Sequence, residues 1–365
     1  MTMRSSARKY GRLRLAAAAA GLTAMLAVSG CSAEYWPDLS PDSEDAQVTQ
    51  TPTGNLATVP VSDTQIQTII DRVSIAAAAG DKDLDAAALA KRFTGDALTQ
   101  RTANYKIRNE VSDYASSPAT ITTELLQYQL VQSTETWPRT IFVTVASEAT
   151  QTEDGEAGDA PSLALVLTQR IPQENFQVSR IISLRGGIEM PQAAPAEEGT
   201  AVLSDDISGL VLEPGEVGSA YAAILQGGSD VDEAAQFDLT NDPLIENYGL
   251  AWVTQSKAKA DADETPQAYS VSVTQGENPI TSLSTGAGGA LVATTVIESQ
   301  VIDSDGGRFK PRAEGAVSAL SGLEGQQDRI VREVAHQLLF YVPSKQDGSQ
   351  IMLLGVTSEL VGAGN

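Results

Sequence analysis

Apolar residues recur at helical spacing near the start of the folded region, as Ile66, Ile69, Ile70, Val73 and Ala77. Ser62 and Gln65 precede them at the spacing of a capping box, and Gly80 marks the expected end. A short helix is predicted over residues 85–93. Thr94 is placed to cap a third, with Leu98, Thr102 and Tyr105 on one face. The pattern then changes. Segments 121–132, 141–148, 163–170 and 176–184 are rich in Ile, Val, Leu and Thr and read as strands. An acidic loop at 150–161 separates the second strand from the third.

After a Pro- and Ala-rich break the same order returns. Residues 216–225 read as a helix, and 269–275, 291–303, 330–342 and 350–361 as strands. Gly227-Gly228-Ser229-Asp230-Val231-Asp232 matches Gly80-Asp81-Lys82-Asp83-Leu84-Asp85, and Thr240–Leu244 matches Thr94–Leu98. Ile171-Pro172 and Val342-Pro343 close the third strand of each half. A duplicated domain follows from this; each match is short, so two unrelated domains are the alternative. Helices grouped ahead of strands predict an α+β fold, with helices on one face of an antiparallel four-stranded sheet. Three helices before a curved sheet resemble the cone-shaped nuclear transport factor 2-like fold. That resemblance spans about residues 60–188 and 207–363, and the domains are drawn at 61–188 and 207–363 with a linker at 189–206.

The N-terminus reads as an address. Arg4, Arg8, Lys9, Arg12 and Arg14 precede an apolar run over 15–28, too short for a spanning helix. Val28, Ser29 and Gly30 then lead into Cys31, the single cysteine. Val-Ser-Gly-Cys resembles the lipobox of bacterial lipoproteins. The resemblance implies a signal peptide over 1–30, diacylglycerol on the Cys31 thiol, and a membrane anchor on the extracytoplasmic face. Residues 31–60, rich in Pro, Ser, Thr and acids, are expected to be a disordered tether. Tandem cones behind a lipobox resemble uncharacterised actinobacterial membrane-anchored lipoproteins, a resemblance that implies no activity.

Charge narrows the partners. With 24 Lys and Arg against 47 Asp and Glu, the net charge is −23, which argues against nucleic acid. One cysteine excludes an internal disulfide framework and a thiolate zinc site. Asp81, Asp83 and Asp85 alternate like the start of a calcium loop, but Ala86 and Arg92 stand where Gly and Glu belong. Asp303–Glu314 fails similarly and reads as a turn with Asp305-Gly306 at its tip. No metal and no cofactor is expected.

His336 is the one strong general base by residue type. In a strand it shares a face with Val334, Leu338 and Phe340. Its counterpart in the first half is Leu165, which favours a core role over a catalytic one. Glu333 falls on the opposite face. Glu124, Trp137 and Trp252 are the other candidate pocket residues, with core and edge packing as the plain alternative for the tryptophans. A basic stretch of Lys91, Arg92, Arg101, Lys106 and Arg108 would meet lipid phosphates, the acidic second half, or only water. No nucleophile–base pair can be assembled. The function expected is therefore a binding or scaffold module in the cell envelope, with a possible protein partner there. The alternatives are a small-molecule enzyme of isomerase or hydratase type and a solute-carrying lipoprotein.

Overall fold

The capping box closes as the spacing predicts. The Ser62 hydroxyl accepts from the Gln65 N–H (3.4 Å) and the Gln65 side chain accepts from the Ser62 N–H (2.9 Å). Helix α1 (Asp63–Asp83) follows, burying Ile66, Ile70, Val73 and Ala77. It runs past Gly80 and stops where Leu84 turns left-handed, at φ 50°. Gly80 serves packing instead: a Cβ there would lie 2.8 Å from Leu89 and 2.9 Å from the Tyr105 hydroxyl. Asp85 then caps a single 3-10 turn through the Ala87 N–H. This computed structural model describes residues 59–148, 161–195 and 198–365. Val28, Ser29, Gly30, Cys31, nearly all of the expected tether and the acidic loop lie outside the described residues.

Helix α2 (Gly95–Glu110) departs from the expected single face. It buries Ala97, Gln100, Arg101, Asn104, Tyr105 and Ile107, while Thr102 is exposed. The reason is tertiary, because α2 packs both on its own sheet and on the last strand of the chain. That sheet is an antiparallel meander of β1 (Leu125–Val131), β2 (Arg139–Ala146), β3 (Ser162–Gln169) and β4 (Gln177–Ser183), in that order.

The second half begins with α3 (Pro214–Gly227), then β5 (Phe237–Asp238), α4 (Pro243–Asn247) and α5 (Leu250–Ala262). The strands β6 (Ala268–Gln275), β7 (Thr281–Ser284) and β8 (Ala290–Asp303) follow. An insertion that the hydrophobic pattern did not signal holds β9 (Arg312–Ala313), α6 (Ala316–Ser321) and β10 (Gly325–Gln326). The long strands β11 (Arg329–Val342) and β12 (Ile351–Gly364) end the chain. The larger sheet runs β5-β12-β11-β8-β6, with β7 also on β8. It is antiparallel except where β5 joins β12.

The protein is thus α+β, with antiparallel sheets. One face of the first sheet, including Val143, Leu165 and Leu167, packs on α1. Its other face, with Phe142, Ala164, Val166 and Ile182, meets Leu291, Ala293, Leu339 and Leu354 of the second sheet. The far face of the second sheet, with Val292, Val296, Leu338 and Phe340, is covered by Val217, Tyr221 and Ile224 of α3. Coverage on both faces explains why the central strands read as continuous apolar runs rather than alternating ones.

A buried ion pair and its hydrogen bonds join the two halves. Arg180 is 1% exposed and pairs with Asp96 at 3.1 Å. Asp96 in turn accepts from Thr295 and Asn278, both at 2.7 Å, from the second half. The segment expected as a linker is pinned along part of its length. Thr200 exchanges backbone bonds with Val131 and Ser133 on one side, and its hydroxyl reaches Ser284 on the other.

Candidate functional site

The helical layer of the second half breaks at one glycine. Gly249 has φ 58°, between α4 and α5, and a Cβ there would fall 1.9 Å from the Leu225 carbonyl oxygen. Only glycine fits so close to another backbone in that conformation. The break turns the Gly249 N–H inward, where it donates to Glu298 at 3.0 Å. It also brings the Tyr248 ring edge-on against His336, with centroids 4.6 Å apart.

Glu298 on β8 and His336 on β11 are both fully buried. His336 Nε2 lies 3.4 Å from Glu298 Oε2, and His336 Nδ1 lies 2.7 Å from the Ser358 hydroxyl on β12. Gln300 donates to the second oxygen of Glu298 at 2.7 Å. Burial pushes the Glu298 carboxyl upward, but hydrogen bonds from His336, Gln300 and Gly249, with the His336 charge, outweigh it and leave it below the usual range. Hydroxyl, imidazole and carboxylate therefore stand in a continuous chain across three strands. Such a chain can pass a proton between Ser358 and Glu298.

Above Ser358 lies a cleft of about 610 Å³. Tyr248, Trp252, Gln300, Arg332 and Val334 line it from the second half, and Tyr114 and Ser116 from the first. Glu359, also on its wall, accepts from Asn104 (3.0 Å), Tyr114 (3.1 Å) and Ser116 (3.2 Å). Burial nevertheless raises the Glu359 carboxyl above its usual range. Burial and the neighbouring Glu359 push the Tyr114 hydroxyl up to about 12.

Two atoms of this wall lack protein partners. Arg332 Nε and Gln300 Oε1 are buried without hydrogen bonds, on residues directly opposite each other on β11 and β8. Among the described residues no ion pair includes Arg332. Burial lowers the Arg332 pKa.

The structure brings together only some of the residues singled out in the sequence. Trp252 lines the cleft and meets Tyr269 edge-on at 5.9 Å, and His336 lies beneath the floor. Glu124 points to solvent, because it stands before β1 begins. Trp137 is an edge residue, donating to Gln169 at 3.1 Å with the Arg139 guanidinium 3.9 Å above its ring. The five bases do not form one surface. Arg101 is buried against Asp81 and the Ala119 carbonyl, and Lys106 caps α6 through the Leu320 carbonyl (2.9 Å). Lys91 is exposed, and Arg92 and Arg108 are half-buried. Glu298, Gln300, Arg332, Ser358 and Glu359 were missed. A signal existed for several: Glu298, Gln300, Arg332 and Ser358 fall on the parity that faces the helices in strands otherwise apolar there.

A family model described as a domain of unknown function, DUF8094, matches residues 58–365. The chain belongs to this family. The DUF8094 match spans both sheets and the cleft between the residues they contribute. No curated protein and no solved structure matches the chain.

Proposed function

We propose that this DUF8094 chain is a lipoprotein anchored through Cys31 on the extracytoplasmic face of the cell membrane, and that its folded part is a binding module of the envelope. The Val28–Ser29–Gly30–Cys31 motif supports the anchor. The observation that carries the binding reading is the pair of partnerless atoms on the cleft wall, Arg332 Nε and Gln300 Oε1. Arg180 shows a buried charge matched by the protein's own residues; an unmatched donor and an unmatched acceptor on the wall of one cleft are where a ligand belongs.

We read the folded part as two similar cone-like halves, in line with the duplicated sequence. In support, β6-β8-β11-β12 repeats the meander of β1-β2-β3-β4. A parallel bridge joins Phe93 to Val178 in one half, and Phe237 to Ile351 in the other.

The test is native mass spectrometry of the full chain, extracted from its own membrane in mild detergent. A diacylated mass beginning at Cys31 with a bound small molecule is the expected result. An unacylated mass overturns the anchor. An empty cleft with co-purifying proteins moves the reading to a scaffold. The Ser358–His336–Glu298 chain favours one second reading, an enzyme that draws a proton through His336. Substrate turnover lost in Ser358→Ala and in His336→Gln, with folding retained, would establish it.

A further inference from the structure

The cleft wall carries more information than the presence of a site. Arg332 Nε is a charged donor without an acceptor, and Gln300 Oε1 is an acceptor without a donor. Gln300 is 2% exposed, and its amide nitrogen is already committed to Glu298. Because the two residues are cross-strand partners, an unpartnered donor and an unpartnered acceptor come from neighbouring positions on one sheet. A matching ligand offers an anionic oxygen next to an N–H or O–H group.

The charge of that anion is limited by its surroundings. Glu298 and Glu359 both border the site. A doubly charged phosphate would be repelled by two carboxylates and met by one guanidinium; a singly charged carboxylate meets half that repulsion while keeping the guanidinium contact. Tyr248 and Trp252 offer aromatic faces to the remainder of the ligand. A second cavity of about 510 Å³, lined by Arg308, Lys310 and Arg312, shares Arg332 and Leu360 with the cleft. Lys310 and Arg312 there are paired with Asp328 and Glu314, so they shape the approach more than they bind.

We propose that the cleft takes a small organic acid whose carboxylate neighbours a hydrogen-bond donor, either a hydroxy acid or an acylamino acid. The carboxylate accepts from Arg332 and the neighbouring donor bonds Gln300 Oε1. This rests on the binding-module reading and gives that site its ligand class.

The test is calorimetric titration of the full chain in detergent with five probes. These are 3-phenyllactate, N-acetylphenylalanine, 3-phenylpropionate (no donor), phenylalaninol (no carboxylate) and inorganic phosphate. The two donor-bearing acids are expected to bind, with 3-phenylpropionate about tenfold weaker and the other two weaker still. Arg332→Gln should weaken both acids by about ten- to a hundredfold. Gln300→Leu should erase the difference between 3-phenyllactate and 3-phenylpropionate. If Arg332→Gln does not fold, Arg332→Lys reads the same loss, since it keeps the charge but not the Nε donor. Equal binding of those two acids to the native protein, tighter binding of phosphate, or unchanged binding by a folded Arg332 variant would overturn the proposal. Silence from every probe, while a neutral molecule co-purifies with the chain, would overturn the acid class and leave the binding module standing. Silence with nothing co-purified would remove both.

Discussion

Leu165 in β3 lies between Val143 in β2 and Ile181 in β4, all buried and apolar. His336 in β11 lies between Val296 in β8 and Ser358 in β12, with Glu298 two positions further along β8. The strand order is the same, and both layers face helices. In the first half aliphatic contact needs no particular partner, and the layer closes. In the second, each polar group needs a partner of the right kind in the right place. The helix layer is accordingly broken at Gly249 to supply one, and a cleft opens where the polar chain ends. Two arginines draw the same contrast. Arg180 is fully buried and held by Asp96 and Thr295, so it joins the sheets. Arg332 is buried at its Nε without a partner, so it is available.

The comparison can be broken most forcefully at His336. Replacing it with Leu leaves Glu298 buried without its histidine, at a cost of about 3–5 kcal/mol in urea unfolding. The double change Glu298→Leu with His336→Leu should recover most of that loss, since an apolar layer like that of the first half needs no partner. Equal destabilisation by the single and the double change would show that packing, not charge matching, governs the site. Leu165→Ala should cost about 2–5 kcal/mol through the cavity alone, independent of pH.

Gly249→Ala comes next, at about 1–3 kcal/mol for the strained backbone, more if Leu225 cannot move. It should also displace Tyr248 from His336, which the chemical shifts of the His336 ring would report.

The pH dependence separates the halves further. Native Glu298 lies below its usual range, so its contribution is complete above the unfolded value and is lost as pH falls through the lowered native one. Glu359 lies above its range, so its contribution is complete below the usual value and is lost as pH rises through the raised one. In urea midpoints followed between about pH 3 and 7, Glu298→Gln should flatten the acid limb and Glu359→Gln the opposing fall. The smallest effect is expected from Glu124→Gln. It is exposed and outside the cleft, so melting temperature and ligand binding should both stay unchanged within error.

Much of the fold was legible because it rests on local rules. The Ser62–Gln65 box and the Asp305-Gly306 turn each need only neighbours in sequence. The strands of both meanders were visible as apolar runs. The helices were read less well where packing overrode the pattern. Gly80 stays within α1 because Leu89 and Tyr105 crowd it, and α2 buries two faces because β12 covers the second. Of the residues singled out, Trp252 lines the cleft and His336 lies buried beneath it, while Glu124 is exposed, Trp137 packs at an edge, and Arg101 left the basic stretch for an internal partner. The residues that complete the site lie on β8, β11 and β12, up to 60 positions apart in the chain from Glu298 to Ser358, and periodicity carries no information about which strands pair.

By itself the sequence determined the α+β class, the succession of helices ahead of strands in each half, the acidic charge, and the motif at Cys31. These follow from composition, short motifs and hydrophobic period, all of them local quantities. Tertiary structure alone decided that the two sheets meet face to face, that α2 is shared between them, and that Glu298, His336 and Ser358 touch. It also decided that Arg332 and Gln300 face a cleft without partners. Those are matters of register between distant strands, and register is set by the whole packed core rather than by any one segment.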